Sequence, residues 1–225
     1  LPDSESNQAV EAVGRVKSYN FFITSIMPEI NLEDLMAVTK WNSTTNVIQY
    51  DKRIFDSKTS KWVRKNKSPK PSSQEAYLAF KEIMSVSEDM KTKFVTISID
   101  HQSPIIAQQW VALVVESLNE SMRNINREVT LKSIDFLDEQ LRKINYEGVK
   151  KSISNLQEEQ IKKLMTIEAK DDFIFKIIEP PYAPELKARP KRLQIAIIGT
   201  IIGFILSIFI LVIYSDIKKR LKNQP

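Results

Sequence analysis

The 225-residue chain carries 33 Lys and Arg against 28 Asp and Glu, a formal charge of +5, and this mild excess does not argue for a nucleic-acid binder. It has no cysteine, one histidine and four glycines. Disulfides and thiolate metal sites are therefore excluded, a lone histidine cannot build a metal centre by itself, and no glycine-rich phosphate loop is present. The chain opens on Leu1-Pro2 rather than Met, so a hydrophobic segment is expected upstream.

In chain order, residues 5–18 place Ala9, Val13 and Val16 on one helical face. A short second helix is expected through Phe21, Phe22 and Ile26, ending before Pro28, and a third over 32–38. From 42 to 71 the chain turns polar, with strand-like fragments at 46–50 and 53–55 and eight basic residues between 52 and 70. Such a run reads first as a solvated loop, and more sharply as a surface for anionic sugar or lipid headgroups, with Arg53, Lys61, Arg64 and Lys65 as candidate contacts. Ser72 or Ser73 caps a helix over 72–85 that places Tyr77, Phe80 and Met84 on one face.

Residues 94–100 alternate with β-branched side chains and predict a strand; residues 173–178 predict a second. Between them, Ser103-Pro104 starts a helix reaching about Ile144, a turn at 145–148 follows, and a return helix runs from about 152 to 169. Ile134, Leu137, Leu141 and Ile144, then Ile153, Leu156 and Leu164, form narrow apolar seams that pack the helices together and against neighbouring copies. The two strands are expected to lie side by side at the foot of this hairpin. His101, between strand and helix, reads as a capping or backbone-bonding residue. Glu158 and Glu159 face Lys162 and Lys163 as solvated ion pairs. No acid/base pair, nucleophile or cofactor site emerges, and the expected chain is not an enzyme.

Pro180, Pro181, Pro184 and Pro190 stiffen a connector after the second strand. Residues 193–214 then run twenty-two positions without a charge. As a helix they extend about 33 Å, enough to cross a bilayer. Within them Gly199 and Gly203 form GxxxG, extended by Ser207, a packing face for another span. Basic residues flank the run on both sides, so charge alone leaves its orientation open.

These stretches together resemble a known family. FVTISIDHQSPIIAQQWVALVVESLNESMR at 94–123 closely resembles the Wzz-type chain-length determinants, or polysaccharide co-polymerases. So do SIDFLDEQL at 133–141, EEQIKKLM at 158–165, DDFIFKIIEPPYAPE at 171–185 and RPKRL at 189–193. Upstream, YDKRIFDSKTSKWVR at 50–64 and SSQEAYLAFKEIMSVSED at 72–89 fit the same family. The resemblance implies a protein crossing the inner membrane twice, with its main domain periplasmic and its C-terminal tail cytoplasmic. It implies a homo-oligomeric ring acting with a Wzy-type polymerase on lipid-linked polysaccharide, to set the modal length of O antigen or a related glycan. The first span is absent here and the hairpin is shorter than in the long-helix members. No nucleotide-binding domain or tyrosine cluster follows the span, which points to the form without a fused tyrosine kinase.

The expected architecture is α+β. An α/β base begins at 1–103, and an extended helical hairpin occupies 104–172. The return strand and connector fill 173–192, the transmembrane helix 193–214 and the tail 215–225. The expected partners are further copies of the chain, the polymerase, its glycan and membrane lipid, with no nucleic acid. The rival reading is a membrane-anchored scaffold for polysaccharide export or envelope assembly without length control.

Overall fold

The computed structural model describes residues 4–65, 68–169, 175–184 and 196–207. The fold is α+β, as the sequence leads one to expect, and the chain divides into two compact units, Leu1–Ala183 and Pro184–Pro225. In the first unit, helix α1 (Ser4–Val16) buries Ala12 and Val16 and leaves Val10 exposed. Ser18 then caps α2 (Tyr19–Phe21), which runs into a π-helical turn, Phe22–Ile26, that puts Phe22 and Ile26 into the core. Helix α3 (Leu32–Met36) follows.

The polar stretch after it is built, not loose. Strands β1 (Val38–Asn42) and β2 (Val47–Tyr50) form one antiparallel pair, β3 (Phe55–Asp56) and β4 (Lys61–Trp62) another. Asn42 Oδ1 accepts the Thr44 and Thr45 N–H groups, and Asn46 takes the left-handed backbone (φ 53°) that closes this turn. Edge-to-face contacts link Tyr50 to Phe55 and Phe55 to Trp62, at 5.5 and 5.2 Å between centroids. Those rings give the segment its own apolar anchor.

Helix α4 (Ser73–Ile83) starts on a reciprocal capping box between Ser72 and Glu75, and Arg64 reaches Glu75 at 2.9 Å. It is two residues shorter than the sequence suggests, because Met84 and Ser85 turn extended and open strand β5 (Met84–Glu88). Strand β6 (Val95–Ile99) lies where expected, but its partner is β5, in register Met84↔Ile99 through Glu88↔Val95. The predicted pairing with 173–178 is not formed by its described part: Phe175 and the two residues after it lie in no strand, and 173–174 fall outside the described residues. The physical reason is local. Asp89 accepts the Lys91 and Thr92 N–H groups and closes a tight turn, so β5 reaches β6 through a far shorter loop than 173–178 could.

Ser103 caps α5 (Pro104–Lys143), with Pro104 in its first turn. The turn to α6 (Glu147–Ala169) occupies only 144–146, so Gly148 lies inside the return helix and not in the bend. The core forms where Phe21, Phe22, Ile26 and Phe80 meet Trp110, Val114, Leu118 and Met122 of α5. Phe80 and Trp110 touch at 6.2 Å between centroids, and Phe22 and Phe80 at 5.1 Å.

In the second unit, residues 196–207 are helical. The rest of the predicted span, 193–195 and 208–214, lies outside the described residues, as do the tail and Pro190. Among the described residues no helix is long and apolar enough to cross a membrane.

Candidate functional site

The apolar spacing of α5 changes character at Met122. Before it, Ala107, Trp110, Val114, Leu118 and Met122 are buried against the domain. Beyond it, only Thr130 of α5 and Ile167 of α6 are buried among the described residues. Among the described residues the distal hairpin is thus a pair of helices with no third layer. Arg127 pairs with Glu168 at 2.6 Å and fixes the end of α6 beside the middle of α5.

The predicted seam residues differ in their exposure. Ile134, Leu137, Leu141, Ile144, Ile153 and Leu164 are all half-buried. Leu156 is not: it remains 49% exposed. Val129 and Phe136, which the 3-4-3 reading passes over, are 54% and 59% exposed. With Leu137 and Leu156 they line an open apolar groove of about 480 Å³, edged by Lys132, Ser133 and Gln160. The missed signal was the seven-residue spacing of Val129 and Phe136, which marks a second apolar line beside the first.

The flanks of the hairpin are charged, with Glu128–Lys132, Asp138–Arg142, Glu139–Lys143 and Glu158–Lys162 paired at i, i+4. Each places the acid nearer the N-terminus, the favourable order, and contributes a few tenths of a kcal/mol. Lys162 lowers the Glu158 carboxyl pKa through their hydrogen bond. Inside the hairpin, Thr130 is fully buried and its Oγ1 has no hydrogen-bond partner among the described residues. Thr130→Val removes an unsatisfied hydroxyl at constant shape, and denaturant unfolding is expected to show a gain of about 1 kcal/mol. An equal loss would contradict this reading of the site.

The basic segment separates into two kinds of cation. Arg64 is largely buried, bonding the Ser68 and Pro69 carbonyls as well as Glu75, so it serves the fold. Lys61 and Lys65 are exposed. Arg53 points outward but is committed to Asp51, at 2.7 Å. Hydrogen bonds from the Arg53 side chain, then from its backbone N–H, hold the Asp51 carboxyl down at about 2 from its ordinary 3.8. A folded value below the unfolded one means that this turn is fully supported above about pH 4 and loses support as pH falls toward 2. An NMR titration is expected to place Asp51 near 2 in the intact protein, and Arg53→Ala to raise it. A midpoint unchanged by that substitution would show the Arg53 contact to be absent.

His101 does what its position suggested. Its Nδ1 accepts the Ser103 N–H at 3.0 Å, leaving Nε2–H to donate to the Asp34 carbonyl at 2.9 Å. Its ring rests on Trp110, with 5.1 Å between centroids. Asp34 in turn accepts the Tyr50 hydroxyl at 2.6 Å and the Asn31 amide at 3.1 Å. Burial, then the Asp34 hydrogen bond, raises the pKa of the Tyr50 hydroxyl. This cluster joins α3, β2 and the start of α5 as a structural latch. Among the described residues no group of His, Asp and Glu gathers to hold a metal ion.

In the second unit, a Cβ built on Gly199 or Gly203 meets no atom within 4 Å, so this small-residue face is uncovered among the described residues. Ser207 bonds back to the Phe204 carbonyl at 2.8 Å. Of the connector prolines, Pro180, Pro181 and Pro184 lie in neither helix nor strand. No protein-family model matches the chain, and no curated protein matches it.

Proposed function

We propose that the chain is a non-enzymatic, oligomeric inner-membrane regulator of bacterial surface polysaccharide length, acting beside a Wzy-type polymerase. The uncharged run 193–214 anchors it, the first unit stands in the periplasm, and copies gather through their hairpins. The observation that carries this reading is the uncovered apolar groove between Val129, Phe136 and Leu156. In a single copy the two helices leave this apolar face open to water, and an identical neighbour supplies the missing cover. The ordered resemblance of the 94–185 motifs to the Wzz-type determinants supports the choice of substrate. The exposed Lys61 and Lys65 offer a weak contact for anionic glycan, while Arg64 is occupied within the fold.

The test is removal of the gene from its host and sizing of the surface glycan on gels. The expected result is loss of the modal length, restored by the intact chain. An unchanged ladder sinks the length-control reading and leaves the export or envelope scaffold in its place.

A further inference from the structure

After α6 the chain returns to α5 as a segment, Phe175 to Ala183, that lies in neither helix nor strand and bends at Ile178 and Glu179. Among the described residues no backbone–backbone hydrogen bond reaches it. Two side-chain amides of α5 hold it. Asn119, only 6% exposed, accepts the Phe175 N–H on Oδ1 at 3.0 Å and donates Nδ2 to the Phe175 carbonyl at 3.2 Å. This is the donor–acceptor pair that a neighbouring strand would present. Gln108 donates to the Pro181 carbonyl at 2.8 Å.

The spacing of the two contacts is constrained. Gln108 and Asn119 are separated by about 16 Å along the helix axis. The segment from Phe175 to Pro181 spans about 20 Å when fully extended. Little slack remains, and Pro180-Pro181 stiffens the far end. A slip of one residue would take Phe175 out of its contact with the core.

We infer that Asn119 and Gln108 form a two-point register clamp, fixing where the chain leaves the first unit on its way to the connector. A β-ladder tolerates exchange of partners along its edge. A buried amide that bonds both the N–H and the carbonyl of Phe175 does not, so the clamp gives the outgoing chain a single alignment on α5. It is independent of any polysaccharide role.

The chain has no native cysteine, so its geometry is open to paired labels. Asn119→Leu in the full chain is expected to speed exchange of the Phe175 amide about tenfold while the β5–β6 amides stay protected. Separately, spin labels on Gln109→Cys and Tyr182→Cys should give one narrow distance distribution, which Gln108→Ala broadens. Unchanged Phe175 exchange in Asn119→Leu, or an unbroadened distribution in Gln108→Ala, overturns the clamp. Where Asn119→Leu also loosens β5–β6, the half-buried Gln108 variant decides alone.

Discussion

Phe136→Asp combined with Leu156→Asp is expected to reduce the proposed assembly to single chains without unfolding them. Both side chains are about half exposed in one copy, so the substitutions cost the isolated fold little. In an assembly they would be covered. Losing two large apolar contacts removes about 1.5–3 kcal/mol each, and leaving a carboxylate in an apolar groove adds several more. A weakening of at least a thousandfold in association follows from about 4 kcal/mol. Sedimentation of the detergent-extracted chain reads the loss directly, and far-UV circular dichroism confirms that α5 and α6 persist. An assembly of unchanged mass would show that the groove is not where copies meet.

The second large effect belongs to the core. Trp110 is 6% exposed and sits between Phe80 and His101. It therefore joins α4 to α5 and, through the His101 bond to the Asp34 carbonyl, to α3. Trp110→Ala is expected to cost about 3–5 kcal/mol, from lost burial plus the cavity left behind. Urea unfolding measures it. A loss below about 1 kcal/mol would mean that these helices are held together elsewhere.

The helices were legible because their signals are local. Ser103-Pro104 marks the start of α5, and the Ser72–Glu75 box marks α4. The apolar spacing of 134–144 and of 153–164 is equally local, so sequence alone located both halves of the hairpin. It could not show that burial thins beyond Met122, because Leu118 and Leu137 carry the same side chain. The strand pairing was misread for a related reason. Phe-Ile-Phe-Lys-Ile-Ile has strong β propensity, whereas Met84-Ser85-Val86-Ser87-Glu88 continues a helix with no Gly or Pro to stop it. The turn chemistry of Asp89 decided the outcome. Asn119 was invisible within a helical run, since an amide that replaces a strand leaves no mark on periodicity.

The latch around Asp34 was also out of reach. Asp34, Tyr50 and His101 are far apart in the chain and meet only when α3, β2 and the start of α5 are docked. Position did reveal the role of His101 as a backbone-bonding residue, because a polar ring between a strand and a helix start has unsatisfied N–H groups within reach.

The proposed function requires that further copies cover the apolar groove of the distal hairpin. The mass of the full chain, extracted from membranes in mild detergent and corrected for bound detergent, tests this most directly. The predicted result is a closed particle containing several 26.0 kDa chains. A particle holding one 26.0 kDa chain, with α5 and α6 still helical, would contradict it.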